Sequence, residues 1–179
     1  KTGKFEIYGI LDTKLPVGAT ACGVKVLGDD NALPMLLKKG IKDAFIAIGS
    51  IGDCAARKRI DRTLKTLGFR LPVIVHPNTV IGNDVILGEG TFVAAGAVIN
   101  PCVRIGRNAI INTSSSIDHD CVIGDFVHIA PGTTLSGSVK LGDEVHVGTG
   151  SSIVQKITVG EKCFVKAGSM VSKDLIRKK

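Results

Sequence analysis

One pattern governs most of this chain: an aliphatic residue returns at every sixth position. The series is Val75, Ile81, Leu87, Val93, Ile99, Ile105, Ile111, Ile117, Ile123, Ile129, Leu135, Leu141, Val147, Ile153, Val159, Val165 and Val171, seventeen in succession without an insertion. Self-similarity at a fixed short interval marks a repeat architecture. The position after each aliphatic residue is Gly, Asn or Asp in ten of the hexads, residue types that tolerate turn or left-handed dihedrals. The fifth position is mostly small or β-branched, as at Thr79, Val85, Thr91, Ala97, Ser115, Cys121 and Thr133.

Each hexad therefore reads as a short strand and a corner. Three hexads close one triangular coil, and coils stack at about 4.8 Å by parallel strand pairing. First and fifth positions face a narrow prism; third and sixth face outward. Composition agrees: the chain is 44% hydrophobic but only 4% aromatic, with no Trp and 22 Gly among 179 residues. Aliphatic side chains can fill such a prism where rings would not fit.

Residues 1–73 are of another kind, and 74–179 hold the repeat. Phe5–Leu11 alternates and ends at Asp12, which predicts a strand and a loop. A helix is expected over Asp30–Lys39, capped by Asp29 or Asp30 and stopped by Gly40. Asp43–Ile48 reads as a short buried strand, and Asp53–Leu67 as a basic amphipathic helix stopped by Gly68. Strands alternating with helices predict a small Rossmann-like α/β domain with a parallel sheet. The strand and Gly-rich turn that should open it do not precede Phe5, so the expectation is either that residues precede Lys1 in the natural protein or that the first unit is absent.

Several function classes are excluded. Five scattered cysteines without a CxxC argue against a disulfide framework and for a reducing cytoplasm. No apolar run approaches the roughly 18 residues of a membrane span, and the opening Lys-Thr-Gly-Lys has no leader pattern. The net charge of +7 is not matched by stacking aromatics or an arginine-rich helix, so nucleic acid is not the expected partner. The charge is also uneven: net +6 over residues 1–74, −3 over 75–129 and +4 over 130–179.

The histidines direct attention to chemistry. His76 reads as a structural residue at the entry to the coils. His119, third in its hexad, and His128 and His146, each sixth, should all point outward. His119 lies between Asp118 and Asp120, and an adjacent carboxylate can fix an imidazole's tautomer and raise its basicity, as a general base requires. Eighteen residues on, one coil above, stands Gly137, whose bare backbone N–H could support an oxyanion. His128 is half a coil away, over about 10 Å, and could share a site with His119 only through a second subunit. His128 and His146 form one column, but zinc needs more ligands than these, so no metal is expected.

The run Ile110–Gly132, with Asn112, Asp118-His119-Asp120 and His128, closely resembles the hexapeptide acetyltransferases that modify bacterial amino sugars. These include UDP-4-amino-sugar N-acetyltransferases, perosamine N-acetyltransferases and the sialic acid O-acetyltransferase group. The resemblance implies a left-handed parallel β-helix, acetyl-CoA as co-substrate, and a homotrimer with active sites between subunits. It implies His119 as catalytic base, sharpened by Asp120, and Gly137 as the donor at the thioester. His128, Thr149 and Ala167 would contact acetyl-CoA. Asn112 would orient the sugar, while Asp12, Gly49 and Arg57 would meet the nucleotide, expected to be UDP. The implied activity is N-acetylation of a nucleotide-linked amino sugar in bacterial glycan synthesis. The alternatives are sugar O-acetylation and a non-catalytic trimeric scaffold that binds nucleotide-sugar.

Overall fold

The computed structural model describes residues 4–176. The opening three residues, on which the leader reading partly rests, and the closing three lie outside the described residues. Backbone contacts divide the chain into two units. One runs up to Ala44 and includes Arg62–Arg70; the other comprises Phe45–Asp61 and everything from Leu71 onward.

The first unit holds a three-stranded sheet of β1 (Ile10–Leu11), β2 (Thr20–Ala21) and β3 (Val24–Gly28), ordered β1-β3-β2. β1 is parallel to β3, but β2 is antiparallel to it. The sheet is thus mixed, and the purely parallel sheet of the sequence reading is not what forms. The strand expected over Phe5–Leu11 contracts to its last two residues. Helix α1 (Leu33–Lys38) follows a 3-10 turn over Asp30–Ala32. Asp29 caps that turn by accepting the Asn31 N–H at 2.9 Å, and Gly40, at φ +90°, ends the segment. Helix α2 (Ala55–Leu67) ends at Gly68, φ +89°. The strand expected over Asp43–Ile48 is absent. Only Asp43 bridges to Arg70, and from Phe45 the chain packs on the coils, with the Phe45 and Phe92 rings 6.1 Å apart.

The second unit is a parallel β-helix. Its seventeen two-residue strands form three parallel sheets, each pairing residue i with i+18: Ile110 with His128, Ser116 with Thr134, Val122 with Lys140. We number the faces by their first strands: face one begins at Ile74–Val75, face two at Val80–Ile81 and face three at Ile86–Leu87. First-position Ile99, Ile111, Ile117, Ile129 and Leu135 and fifth-position Ala97, Val103, Cys121, Val127 and Val139 are fully buried. These inward columns form one continuous core.

The corner chemistry corrects one expectation. The left-handed residue is the fourth of the hexad, in fifteen successive hexads from Asp84 to Gly168. Second-position glycines answer a different need. A Cβ on Gly88 would lie 2.5 Å from the Gly106 carbonyl carbon of the next coil, so glycine is there to let the coils approach.

Candidate active site

His119 stands on the corner that joins Ser116–Ile117 on face two to Val122–Ile123 on face three. Its Nδ1 lies 2.8 Å from Asp120 Oδ2. A carboxylate can only accept, so Nδ1 carries the proton and Nε2 is the free lone pair of the neutral ring. The reach depends on backbone shape. Asp120 is at φ +60°, and this left-handed step turns its side chain back toward the preceding residue. The hydrogen bond to Asp120, with the Asp118 charge, raises the His119 pKa above the ordinary imidazole value. The ring is exposed, as its outward position predicts.

Gly137 is directly beside that ring. A Cβ there would fall 2.8 Å from both His119 Cε1 and Nε2. Among the described residues the Gly137 N–H has no protein acceptor. The corner therefore sets an imidazole acceptor beside an uncommitted backbone donor. No activated nucleophile joins them: Cys121 points into the prism, donates to the Ser136 carbonyl at 3.3 Å, and burial pushes its thiol up to about 11.

The other expected residues gather elsewhere on the prism. His128 is on face one, where its Nδ1–H donates to the Ser50 carbonyl at 2.7 Å. That fixes Nε2 as the acceptor of the Asn112 Nδ2 donor, 3.3 Å away. Burial holds the His128 pKa below its usual value. His146 meets His128 edge-on, with centroids 4.9 Å apart, and stacks on Phe164 at 4.8 Å and 5°. It is only 7% exposed, and its pKa is lowered by burial and then by His128. Both rings leave the prism as their sixth positions require. His146 is nevertheless buried and His128 half-buried, with the Ser50 carbonyl bonded to His128 and Gly52 against Phe164 on the same face.

Thr149 and Ala167 form an exposed column on the corner between faces one and two, the corner that also carries Asn112. Thr149 C=O accepts the Gly168 N–H at 2.8 Å. Within one chain, then, His119, Asp120 and Gly137 share one corner, while Asn112, His128, Thr149 and Ala167 belong to another part of the perimeter.

The nucleotide residues fare differently. Asp12 follows β1, and its Oδ1 accepts the Lys14 and Leu15 N–H groups at 2.7 and 3.0 Å, which lower its pKa. Gly49 is exposed, on the segment that carries Ser50. Arg57 is a correction. It is 2% exposed, donates to the Asn108 carbonyl and lies over the Phe126 ring at 5.7 Å. It anchors α2 to the coils and is not presented to a nucleotide. Lys58 and Cys54 help, donating to Glu144 at 2.8 and 3.1 Å, and Asp61 accepts from Asn108 and Arg107.

Sequence reasoning missed the Ser50 carbonyl, whose role depends on a fold between distant segments and leaves no local signal. It also missed Asn100, which donates to Asp118 Oδ1 at 2.9 Å. Counting eighteen residues back from Asp118 finds it. Among the described residues no three His, Cys, Asp or Glu are grouped to hold a metal, and no helix is long and apolar enough to cross a membrane.

Comparison with known proteins places this geometry. Residues 102–137 match the model described as bacterial transferase hexapeptide (six repeats). A search of the curated proteins gave no significant match. Among solved structures, PerB from Caulobacter crescentus, in complex with CoA and GDP-perosamine, is 39% identical, with a TM-score of 0.88 over 95% of this chain and 79% of that one. A variant of perosamine N-acetyltransferase from the same organism, also with CoA and GDP-perosamine, is 38% identical, with a TM-score of 0.86 over 93% and 77%. The acetyltransferase domain of PglB from Neisseria gonorrhoeae, in complex with acetyl coenzyme A, is 32% identical, with a TM-score of 0.83 over 93% and 78%.

Proposed function

Because this chain belongs to the hexapeptide-repeat family of sugar N-acetyltransferases, built on a left-handed parallel β-helix, we propose that it transfers the acetyl group of acetyl-CoA to the amine of a nucleotide-linked amino sugar. The observation that carries the reading is the His119 corner: an imidazole whose Nδ1–H is held by Asp120, with Nε2 against Gly137 and its open N–H.

The chemistry follows from those groups. The sugar amine attacks the thioester carbonyl carbon, and His119 Nε2 takes the proton the amine sheds. Asp120 holds the ring in the tautomer that leaves Nε2 free and stabilises the imidazolium. The new oxyanion accepts the Gly137 N–H. Collapse of the tetrahedral species breaks the C–S bond, giving the acetamide and CoA thiolate, which the imidazolium reprotonates. The transfer needs no acyl-enzyme, and Cys121, inside the prism at this corner, is buried with its thiol pushed up to about 11.

Acetyl-CoA lies along Thr149 and Ala167 with His128 beside it, Asn112 orients the sugar, and this set joins His119 when a neighbouring subunit of a homotrimer closes the site. Asp12 and Gly49 serve the nucleotide. The resemblance in the sequence implies UDP; the higher identity to PerB, whose structure holds GDP-perosamine, supports a GDP-linked sugar as the second reading. The test is acetyl-CoA turnover against UDP- and GDP-linked 4-amino sugars, following thiol release and product mass, with light scattering on the same sample. Stable amide product from a trimer is expected. An acetyl ester as the product would overturn N-transfer, and a monomer with full activity would overturn the shared site.

A further inference from the structure

The His119 corner is fastened by two residues that the transfer chemistry itself does not use. Asn100 and Asp118 differ by eighteen and stand in one column. Asn100 Nδ2 donates to Asp118 Oδ1 at 2.9 Å, and that same oxygen accepts the His119 backbone N–H at 2.8 Å. On the other side, the His119 carbonyl accepts the Ser138 N–H at 2.9 Å from the coil above. The histidine backbone is thus held at both ends, while Asp120 holds its ring.

Asp118 also matters through charge. The groups that bear on the imidazole are Asp120, hydrogen-bonded to it, Gly137, set against it, and Asp118, through its charge. Only the two aspartates are carboxylates. The His119 N–H, with Asn100 beside it, keeps Asp118 ionised by lowering its pKa. Asp118 Oδ2 has no partner among the described residues, so its charge is neutralised by no cation there.

We propose that Asn100 and Asp118 are the positioning pair of His119: Asn100 fixes the Asp118 carboxylate from the coil below, and Asp118 clamps the His119 backbone and places a second negative charge beside the ring. This rests on the reading of His119 as the base.

Two variants separate the contributions. Asp118→Asn retains an oxygen that accepts both hydrogen bonds and removes only the charge. Its expected effect is a lower midpoint pH for His119 in an NMR titration, with the acid limb of kcat/KM moving to lower pH by the same amount and both KM values unchanged. A purely structural Asp118 would move neither. Asn100→Ala removes the tether, and kcat is expected to fall on the order of tenfold with KM unmoved, because a loosened base spends less time in the productive geometry. Thermal melts check that Asn100→Ala remains folded; if it does not, Asp118→Asn decides alone. The inference is overturned if Asp118→Asn leaves the NMR midpoint and the acid limb in place, or if folded Asn100→Ala keeps kcat within about twofold, while His119→Ala is inactive. An active His119→Ala removes the base reading itself and the positioning pair with it.

Discussion

Replacing Gly137 with alanine should separate activity from stability. A Cβ at this position would lie 2.8 Å from His119 Cε1 and Nε2, whereas ordinary van der Waals contact begins near 3.4 Å. The ring must therefore retreat by about 0.6 Å or more. Gly137 is not in the left-handed region, so alanine meets no backbone strain. The obstruction is an exposed side chain free to swing away, and the loss of unfolded-chain entropy favours alanine by about 0.4–1 kcal/mol at a compatible site. The backbone N–H that would hold the oxyanion is kept. What is lost is the alignment of Nε2 and its geometry with Asp120. A misplacement of about 1 Å can cost on the order of a hundredfold, so kcat should fall about 10- to 100-fold, or roughly 1.4–2.7 kcal/mol of barrier. KM for acetyl-CoA should hold and Tm should stay level or rise. Steady-state kinetics with melting curves decide it. A Gly137→Ala protein with more than half of wild-type kcat would refute the claim that the ring works from its place against the glycine.

The same substitution at Gly88 should do the reverse. There the Cβ would sit 2.5 Å from the Gly106 carbonyl carbon, which cannot move without unstacking the coils, so a loss of about 1–3 kcal/mol is expected in chemical denaturation; unchanged stability contradicts the close-approach account. The acid limb of kcat/KM should lie above pH 6.5, because Asp120 and Asp118 raise the His119 pKa and only the neutral ring accepts a proton; Asp120→Asn should move that limb down in pH while lowering the plateau, and a limb that stays in place argues against the dyad. His128 and His146 have depressed folded pKa values, so they contribute stability that is present above their unfolded values near 6.5 and is lost as pH falls through the lower folded ones. Melts between pH 7.5 and 5 should show Tm falling with acid, with a shallower fall in His146→Phe; equal slopes would contradict the burial of a neutral His146.

The β-helix was legible because its physics is periodic. One buried aliphatic every six residues, with a small partner at the fifth, is enough to define the prism and its inward columns from Val75 to Val171. The left-handed corner was not legible. Its fourth-position residues include Asp84, Cys102, Phe126 and Lys156, which share no chemistry, because stacking imposes the dihedral whatever the side chain. In the first unit, caps gave away the helices: Asp29, Gly40 and Gly68 mark their ends in the sequence as in the structure. Strands two residues long, such as Thr20–Ala21, carry too little pattern to be seen.

The candidate site divides along the same line. His119, Asp120 and Gly137 could be found from adjacency and an eighteen-residue count, and Asn100 could have been found the same way. Arg57, His128 and His146 depend on where residues 45–61 pack, a long-range outcome that composition does not encode. The resemblance assigned Arg57 to the nucleotide; its burial over Phe126 makes it an anchor instead.

The most direct test of the account is single-turnover acetyl transfer by His119→Ala beside wild type, with the nucleotide-linked amino sugar that the screen selects. The account predicts intact acetyl-CoA binding and a transfer rate below about a tenth of wild type at neutral pH. A His119→Ala protein that binds acetyl-CoA and transfers at more than that rate would contradict it.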